Sequence, residues 1–251
     1  GVSVQSHAEG KKLIIGATPV PHAEILEKAK SILAKKGIDL EIKVFSDYVI
    51  PNLALADKSI DANFFQHAPY LESFSKEKKL SLKSIASVHF EPLALYSKKI
   101  KKLSALKDGD KIAVPNDVTN EARALILLQD NGIIKLKDPA KLTSTKADIV
   151  QYKVKIEIVE LEAAQISRSF GSVTAAILNG NYAIEAKLNP LKDAIIAEKA
   201  ESVSAKTYAN ILVIRADDNR PELRELASVL KSKEIRLFIK EKYKGAVIPA
   251  E

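Results

Sequence analysis

Cysteine is absent from the 251-residue chain. That excludes disulfide scaffolds, thiolate nucleophiles, iron–sulfur clusters and Cys-based zinc sites, and it leaves the redox compartment open. No apolar run approaches the roughly 20 residues of a membrane span. Aromatic residues are only 6% of the chain, and no aromatic-and-basic motif of the RNA-recognition type is present. Catalytic signatures are missing too: there is no G-x-S-x-G elbow, Walker loop, G-x-G-x-x-G or H-E-x-x-H. His7, His22, His67 and His89 are too dispersed in sequence to suggest metal-ligand spacing. No acidic residue forms a recognisable pair with a nucleophile. The expectation is a protein that is not an enzyme and uses no metal or cofactor.

What is present is an ordinary globular composition, 46% hydrophobic and 28% charged, long enough for two lobes. Lys and Arg exceed Asp and Glu by 39 to 32, a net charge of +7. The lysines are spread along the whole chain, and the run Lys98-Lys99-Ile100-Lys101-Lys102 is short, so a solvated basic face is expected and no nucleic-acid partner. Residues 1–10 show no periodicity and are expected to be a flexible lead-in. They also lack the positive and hydrophobic regions of a signal peptide, which fits a cytosolic protein or one whose signal has been removed.

Order begins at Lys12. Lys12–Gly16 reads as a buried strand, residues 25–33 as a helix stopped by Gly37, and Glu41–Phe45 as the next strand, a complete βαβ unit. Short helices follow at 48–56 and 70–79, a strand at 60–65 and an extended run over 80–96. A fresh strand at 111–115 leads into a helix over 119–131. Strands at 156–161, 175–178 and 210–214 come next, with a short helix at 163–169, and two helices, 221–231 and 233–243, end the chain. Strands alternate with helices throughout, so the class is α/β with mostly parallel sheets. Two strands, each followed by an unusual polar loop and a helix (16–24 and 115–123), suggest two similar lobes. Ligands in such folds sit beyond the carboxyl ends of the strands.

Four segments could carry chemistry. In Val114–Arg123, the residues Asn116, Asp117 and Thr119 are all good helix caps. Free backbone N–H groups there favour an anion, and Arg123 adds a bidentate fork; a surface Arg on an amphipathic helix is the competing reading. In Ile60–Tyr70, Phe64, Phe65, His67 and Tyr70 crowd one loop with two amides, which fits a half-apolar pocket wall or a packed loop. Val88-His89-Phe90-Glu91-Pro92 interrupts a buried run with polar groups. Asn179 and Asn210 each lie at the end of a buried strand, where an amide could bind an amino or carboxylate group or simply make a turn.

Several stretches in the right order resemble the NLPA-type substrate-binding lipoproteins, the methionine-binding proteins of ABC importers. They are Ser46–Asn52, Asp61–Leu71, Leu95–Lys99, Ile112–Asp117 with Thr119-Asn120 and Arg123, Ile158–Ala163, and Leu178–Ala183. The resemblance runs from about Lys11 to the C-terminus. It implies a bilobal type II periplasmic-binding fold, with two mixed, mostly parallel sheets and a ligand cleft between lobes that close on the solute. Lobe one is expected at 11–97, completed by 211–251, and lobe two at 98–210. By resemblance Arg123 holds a ligand α-carboxylate, and Asn179 and Asn210 hold the amino-acid head group. Tyr48, Phe65, His67 and Tyr70 surround the thioether, and His89 lies in a segment that varies in the family. The implied ligand is L-methionine, with D-methionine or a methionine-containing dipeptide as alternatives. The implied partners are the permease subunits of an ABC importer, with the protein a monomer in the cell envelope. Contact with the membrane would be only through an N-terminal lipid anchor; the family's lipidated Cys is not in this sequence, so a form cut after the anchor is expected. A surface adhesin using the basic face is the alternative class.

Overall fold

The computed structural model describes residues 11–251; the lead-in expected at 1–10 lies outside them. The chain forms two compact units. The first runs to His89 and resumes at Ala209–Lys244 and Ile248–Glu251; the second is Phe90–Tyr208 with Gly245–Val247.

The first unit opens with strand β1 (Lys11–Ala17), helix α1 (Glu24–Ala34) and strand β2 (Ile38–Val44). β1 and β2 are parallel, in register from Lys11 opposite Ile38 to Ala17 opposite Val44. Between β1 and α1 the polar loop is closed by the Ala23 N–H, which donates to the Thr18 carbonyl at 3.0 Å; Val20 is extended and Val20–Pro21 is cis. Gly37, at φ +77°, turns the chain out of α1, a conformation glycine adopts without steric cost. Helix α2 (Ile50–Ala56) starts on Pro51, which the first turn tolerates. Strand β3 (Ala62–His67) runs parallel to β1 and is buried along its whole length. Helix α3 (Ala68–Lys78) follows at once, and strand β4 (Leu82–Phe90) leads to the second unit.

The second unit begins with β5 (Ala94–Tyr96), then β6 (Lys111–Pro115) and helix α4 (Val118–Asp130). A hairpin of β7 (Ile134–Leu136) and β8 (Ile149–Tyr152) comes next, then β9 (Glu157–Leu161), β10 (Ala175–Leu178) and α5 (Gly180–Glu185). Short β11 (Ile196–Ala197) and α6 (Val203–Thr207) close it. The chain returns to the first unit as β12 (Asn210–Arg215), α7 (Pro221–Leu230), α8 (Lys233–Tyr243) and β13 (Ile248–Pro249).

Each unit has its own sheet, in the orders β13-β4-β12-β3-β1-β2 and β11-β5-β10-β6-β9. The α/β class with mixed, mostly parallel sheets is as expected: β1, β2 and β3 run parallel to one another, as do β6, β9 and β10. β12 runs antiparallel to both β3 and β4, and β5 antiparallel to both β10 and β11. These are the strands by which the chain leaves or re-enters a unit, so no crossover helix fixes their direction. The boundaries differ for the same reason. The chain changes unit after His89, not after residue 97, because β5 pairs with β10 in the second sheet. It returns at Ala209, which makes Asn210 the first residue of β12 and part of the first unit.

The core of the second unit gathers Leu93, Ile112, Val114, Leu125, Leu128 and Ile177, all buried from solvent. In the first unit α1 buries Ile25, Leu26, Ala29 and Leu33, the helical spacing read from the sequence, and packs on α7 and α8. Among the described residues no helix is long and apolar enough to cross a membrane.

Candidate functional site

The candidate residues fall into two sets, one on each unit. On the first unit, β3 and α3 build an aromatic cluster. The rings of Tyr48, Phe65 and Tyr70 lie pairwise 5.9–6.0 Å apart, the Phe65–Tyr70 pair edge-to-face. Tyr70 is fixed at both ends. Its Oη donates to the Tyr48 carbonyl at 2.6 Å, and its backbone N–H donates to Nδ1 of His67, the N-cap of α3, at 3.1 Å. With Nδ1 accepting, a neutral His67 carries its proton on Nε2. Beside this cluster the buried amides of Asn52, Asn63 and Gln66 satisfy one another. Asn52 Nδ2 donates to Gln66 Oε1 at 2.9 Å, and Asn52 Oδ1 accepts from Asn63 at 2.9 Å and from Gln66 at 2.7 Å. A buried amide network with every member engaged fixes one arrangement of α2 against β3. The loop that crowds these side chains is therefore packed, held in one arrangement by the amide network.

His89, at the end of β4, is fully buried. Its ring lies 5.0 Å from that of His22, and both stand edge-on to Phe64, at 5.2 and 4.8 Å. His22, to which sequence reasoning assigned no role, holds Asn210. His22 Nε2 lies 2.7 Å from Asn210 Oδ1, and Thr18 Oγ1 lies 2.8 Å from His22 Nδ1. An amide oxygen can only accept, so Nε2 donates. In the neutral ring Nδ1 then accepts the Thr18 hydroxyl proton. Among the described residues the Asn210 amide N–H₂ group has no hydrogen-bond partner. The signal was the unusual polar loop after β1, which holds both Thr18 and His22.

The second unit carries Arg123 and Asn179. α4 is buried from Thr119 through Leu125, and Arg123 is 4% exposed, so the reading of a surface Arg does not hold. The anion-binding features read from the sequence are both met from within the chain. Asp117 caps α4, its carboxylate accepting from the Asn120 backbone N–H at 3.1 Å and from the Asn120 side chain at 2.9 Å. Burial pushes the Asp117 carboxyl above its ordinary value against those bonds. The Arg123 fork closes on Glu198: Nε donates to Oε2 at 3.0 Å and Nη2 to Oε1 at 2.6 Å. Nη2 also donates to the Glu91 carbonyl at 3.1 Å, and the guanidinium lies 4.3 Å from the centre of the Tyr208 ring. Burial, the largest single effect, would lower the Arg123 pKa, but the charge and hydrogen bonds of Glu198 together with Tyr208 and Glu91 outweigh it and hold the value above its usual level. Gly180 is required here, because a Cβ on it would lie 2.5 Å from Cβ of Glu91. No local pattern marks Glu198 or Tyr208, which explains why sequence reasoning missed them.

Asn179 stands at the N-cap of α5 but does not cap it; Nδ2 donates to Asn120 Oδ1 at 3.2 Å. Its Oδ1 is buried without a hydrogen-bond partner among the described residues. A buried acceptor left unpaired costs about 1–3 kcal/mol, so a ligand donor there would recover that loss.

Next to this set, burial pushes Glu121 up to about 8, helped by a hydrogen bond with Glu160 and by its charge. Glu160 is held low, first by that bond and then by Lys146, whose Nζ lies 3.3 Å away. A carboxyl whose folded pKa is raised stabilises the fold fully below the unfolded value, and that contribution is lost as pH rises through about 8. Glu160 is ionised in both states over that range and adds no slope. The melting temperature is therefore expected to fall by several degrees between about pH 6 and pH 9. The Glu121→Gln variant should flatten the fall in a pH series of thermal melts; an equally steep fall in that variant would assign the slope to another group.

Two α/β units, each with a mixed sheet and with polar and aromatic side chains at strand ends, fit the class of periplasmic substrate-binding proteins. Comparison with known proteins makes the assignment specific. Residues 13–251 match the NlpA lipoprotein family. The methionine-binding lipoprotein MetQ of Bacillus subtilis is 40% identical over 244 residues, covering 95% of this chain and 88% of that one. An ABC transporter periplasmic substrate-binding protein from Coxiella burnetii superposes with a TM-score of 0.89 at 43% identity, covering 95% of this chain and all of that one. A nutrient-binding protein from Burkholderia cenocepacia, solved bound to methionine, superposes with a TM-score of 0.91 at 39% identity, over 95% of this chain and all of that one. The chain belongs to the NlpA lipoprotein family.

Proposed function

We propose that this protein binds methionine and delivers it to the permease of an ABC importer. The Burkholderia cenocepacia protein solved with methionine bound, matched along nearly the whole chain, carries this reading. The chemistry of the side chains supports it. Arg123 offers N–H donors to an α-carboxylate, and Asn179 Oδ1 offers an acceptor to an α-ammonium. Asn210, set by His22 and Thr18, adds amide donors. Tyr48, Phe65, His67 and Tyr70 supply aromatic faces and edges that suit a polarizable sulfur. His89 belongs to this set through its packing on His22 and Phe64. The protein turns nothing over: it acts as a monomer, tethered to a membrane of the cell envelope by a lipid.

The test is to denature the purified protein and identify what it releases by mass spectrometry. Methionine in stoichiometric amount is the expected result, and chiral chromatography then separates L from D. A methionine-containing dipeptide would keep the family and move the specificity to peptides. If nothing is released and the stripped protein gives no calorimetric signal with either enantiomer or with such dipeptides, the reading fails.

A further inference from the structure

We infer that Glu198 determines the charge class of ligand accepted at Arg123, selecting a zwitterion over an anion. The inference rests on the reading of Arg123 as the carboxylate contact. Three of the five guanidinium N–H groups are already committed. Nε–H goes to Glu198 Oε2, and the two hydrogens of Nη2 go to Glu198 Oε1 and the Glu91 carbonyl. Only Nη1 has no hydrogen bond among the described residues, so a ligand carboxylate meets Arg123 through Nη1 and not through its bidentate edge.

Glu198 is itself locked. Its backbone N–H donates to the Leu93 carbonyl at 2.9 Å, and its Oε1 accepts the Leu93 N–H at 2.8 Å. Both side chains of the pair are nearly solvent-free, at 4% and 6% exposure. At that burial a net charge is costly. The Glu91 carboxylate also acts on Arg123, less strongly than Glu198. Arg123 is thus fully compensated before any ligand arrives. A carboxylate added alone brings an unbalanced negative charge, whereas an amino acid brings its own ammonium to cancel it. An Arg without Glu198 would favour the opposite class, an anion that neutralises it.

The experiment compares methionine with 4-(methylthio)butanoate, the same skeleton without the amino group, by calorimetry on stripped protein. The unmodified protein is expected to prefer methionine by at least about 100-fold, since the anion loses both charge balance and the amino contacts. Glu198→Gln keeps the shape and removes the charge. It is expected to narrow that preference at least tenfold, with methionine weakened and the anion strengthened. Glu198→Asp keeps the charge and should retain the preference of the unmodified protein. A Glu198→Gln protein with a native melt and an unchanged preference overturns the inference, because a purely structural role would weaken both ligands alike. Should Glu198→Gln not fold, Glu198→Ala decides by the same comparison, and binding of the anion to the unmodified protein within about fivefold of methionine overturns the inference outright. Failure of the unmodified protein to bind methionine at all would instead overturn the reading of the site.

Discussion

Replacing Arg123 with alanine is expected to weaken methionine binding by more than about 2 kcal/mol, because a charge-assisted hydrogen bond is lost from a buried site. The same change should cost the fold about 3–5 kcal/mol, since the Glu198 carboxylate stays at 6% exposure with its ion partner gone. The two losses must be separated. A double variant, Arg123→Met with Glu198→Leu, removes both charges and fills the space with apolar atoms, and such replacements are often neutral or stabilising. It should recover most of the stability seen in urea denaturation and none of the methionine affinity seen by calorimetry. The stability loss in the single variant would then belong to the stranded carboxylate, and the affinity loss to the ligand contact. Unchanged calorimetric affinity in Arg123→Ala would remove Arg123 from the site.

That pair also shows where sequence reasoning stops. Local features were legible. The strand at Lys111–Pro115, the caps at 116–119 and the arginine two turns from the strand end are set by neighbours in the chain, and all are where the spacing put them. Glu198 lies 75 residues away, in a stretch with no periodicity, and reaches Arg123 because β11 pairs with β5. Spacing predicts a free fork; only the sheet order closes it. His22 and Asn210 are 188 residues apart and meet because β12 inserts antiparallel beside β3. The unit boundary at His89 was missed for the same reason: an extended run over 80–96 reads as one stretch, while its two halves pair in different sheets. The hairpin of β7 and β8 escaped because its strands are short and largely exposed on β8, so no alternation marks it. Sequence patterns report which face a residue buries, and non-local pairing decides what it meets there.

The second large effect is expected at Phe64, on the other unit. It is fully buried in β3, with Ala17 of β1 opposite it on one side and Leu212 of β12 on the other. A central strand has little freedom to collapse into a hole, so Phe64→Ala should cost about 3–5 kcal/mol in urea denaturation of the ligand-free protein. Ligand must be stripped first, because a bound solute adds its own stabilisation and would mask part of the loss. The consequence extends to the site, since Phe64 packs edge-on against His22 and His89 at 4.8 and 5.2 Å. With that ring gone, His22 gains room to tilt, and the Nε2–H bond that orients Asn210 is no longer held by packing. Phe64→Leu refills much of the volume without restoring the edge contacts. It should regain most of the stability while methionine affinity stays below that of the unmodified protein. If instead affinity returns in full with Phe64→Leu, volume alone holds His22 in place and the aromatic edge does nothing for Asn210. A loss under about 1 kcal/mol in Phe64→Ala would mean that β3 relaxes around the hole, contrary to the rigidity expected of a strand paired on both sides.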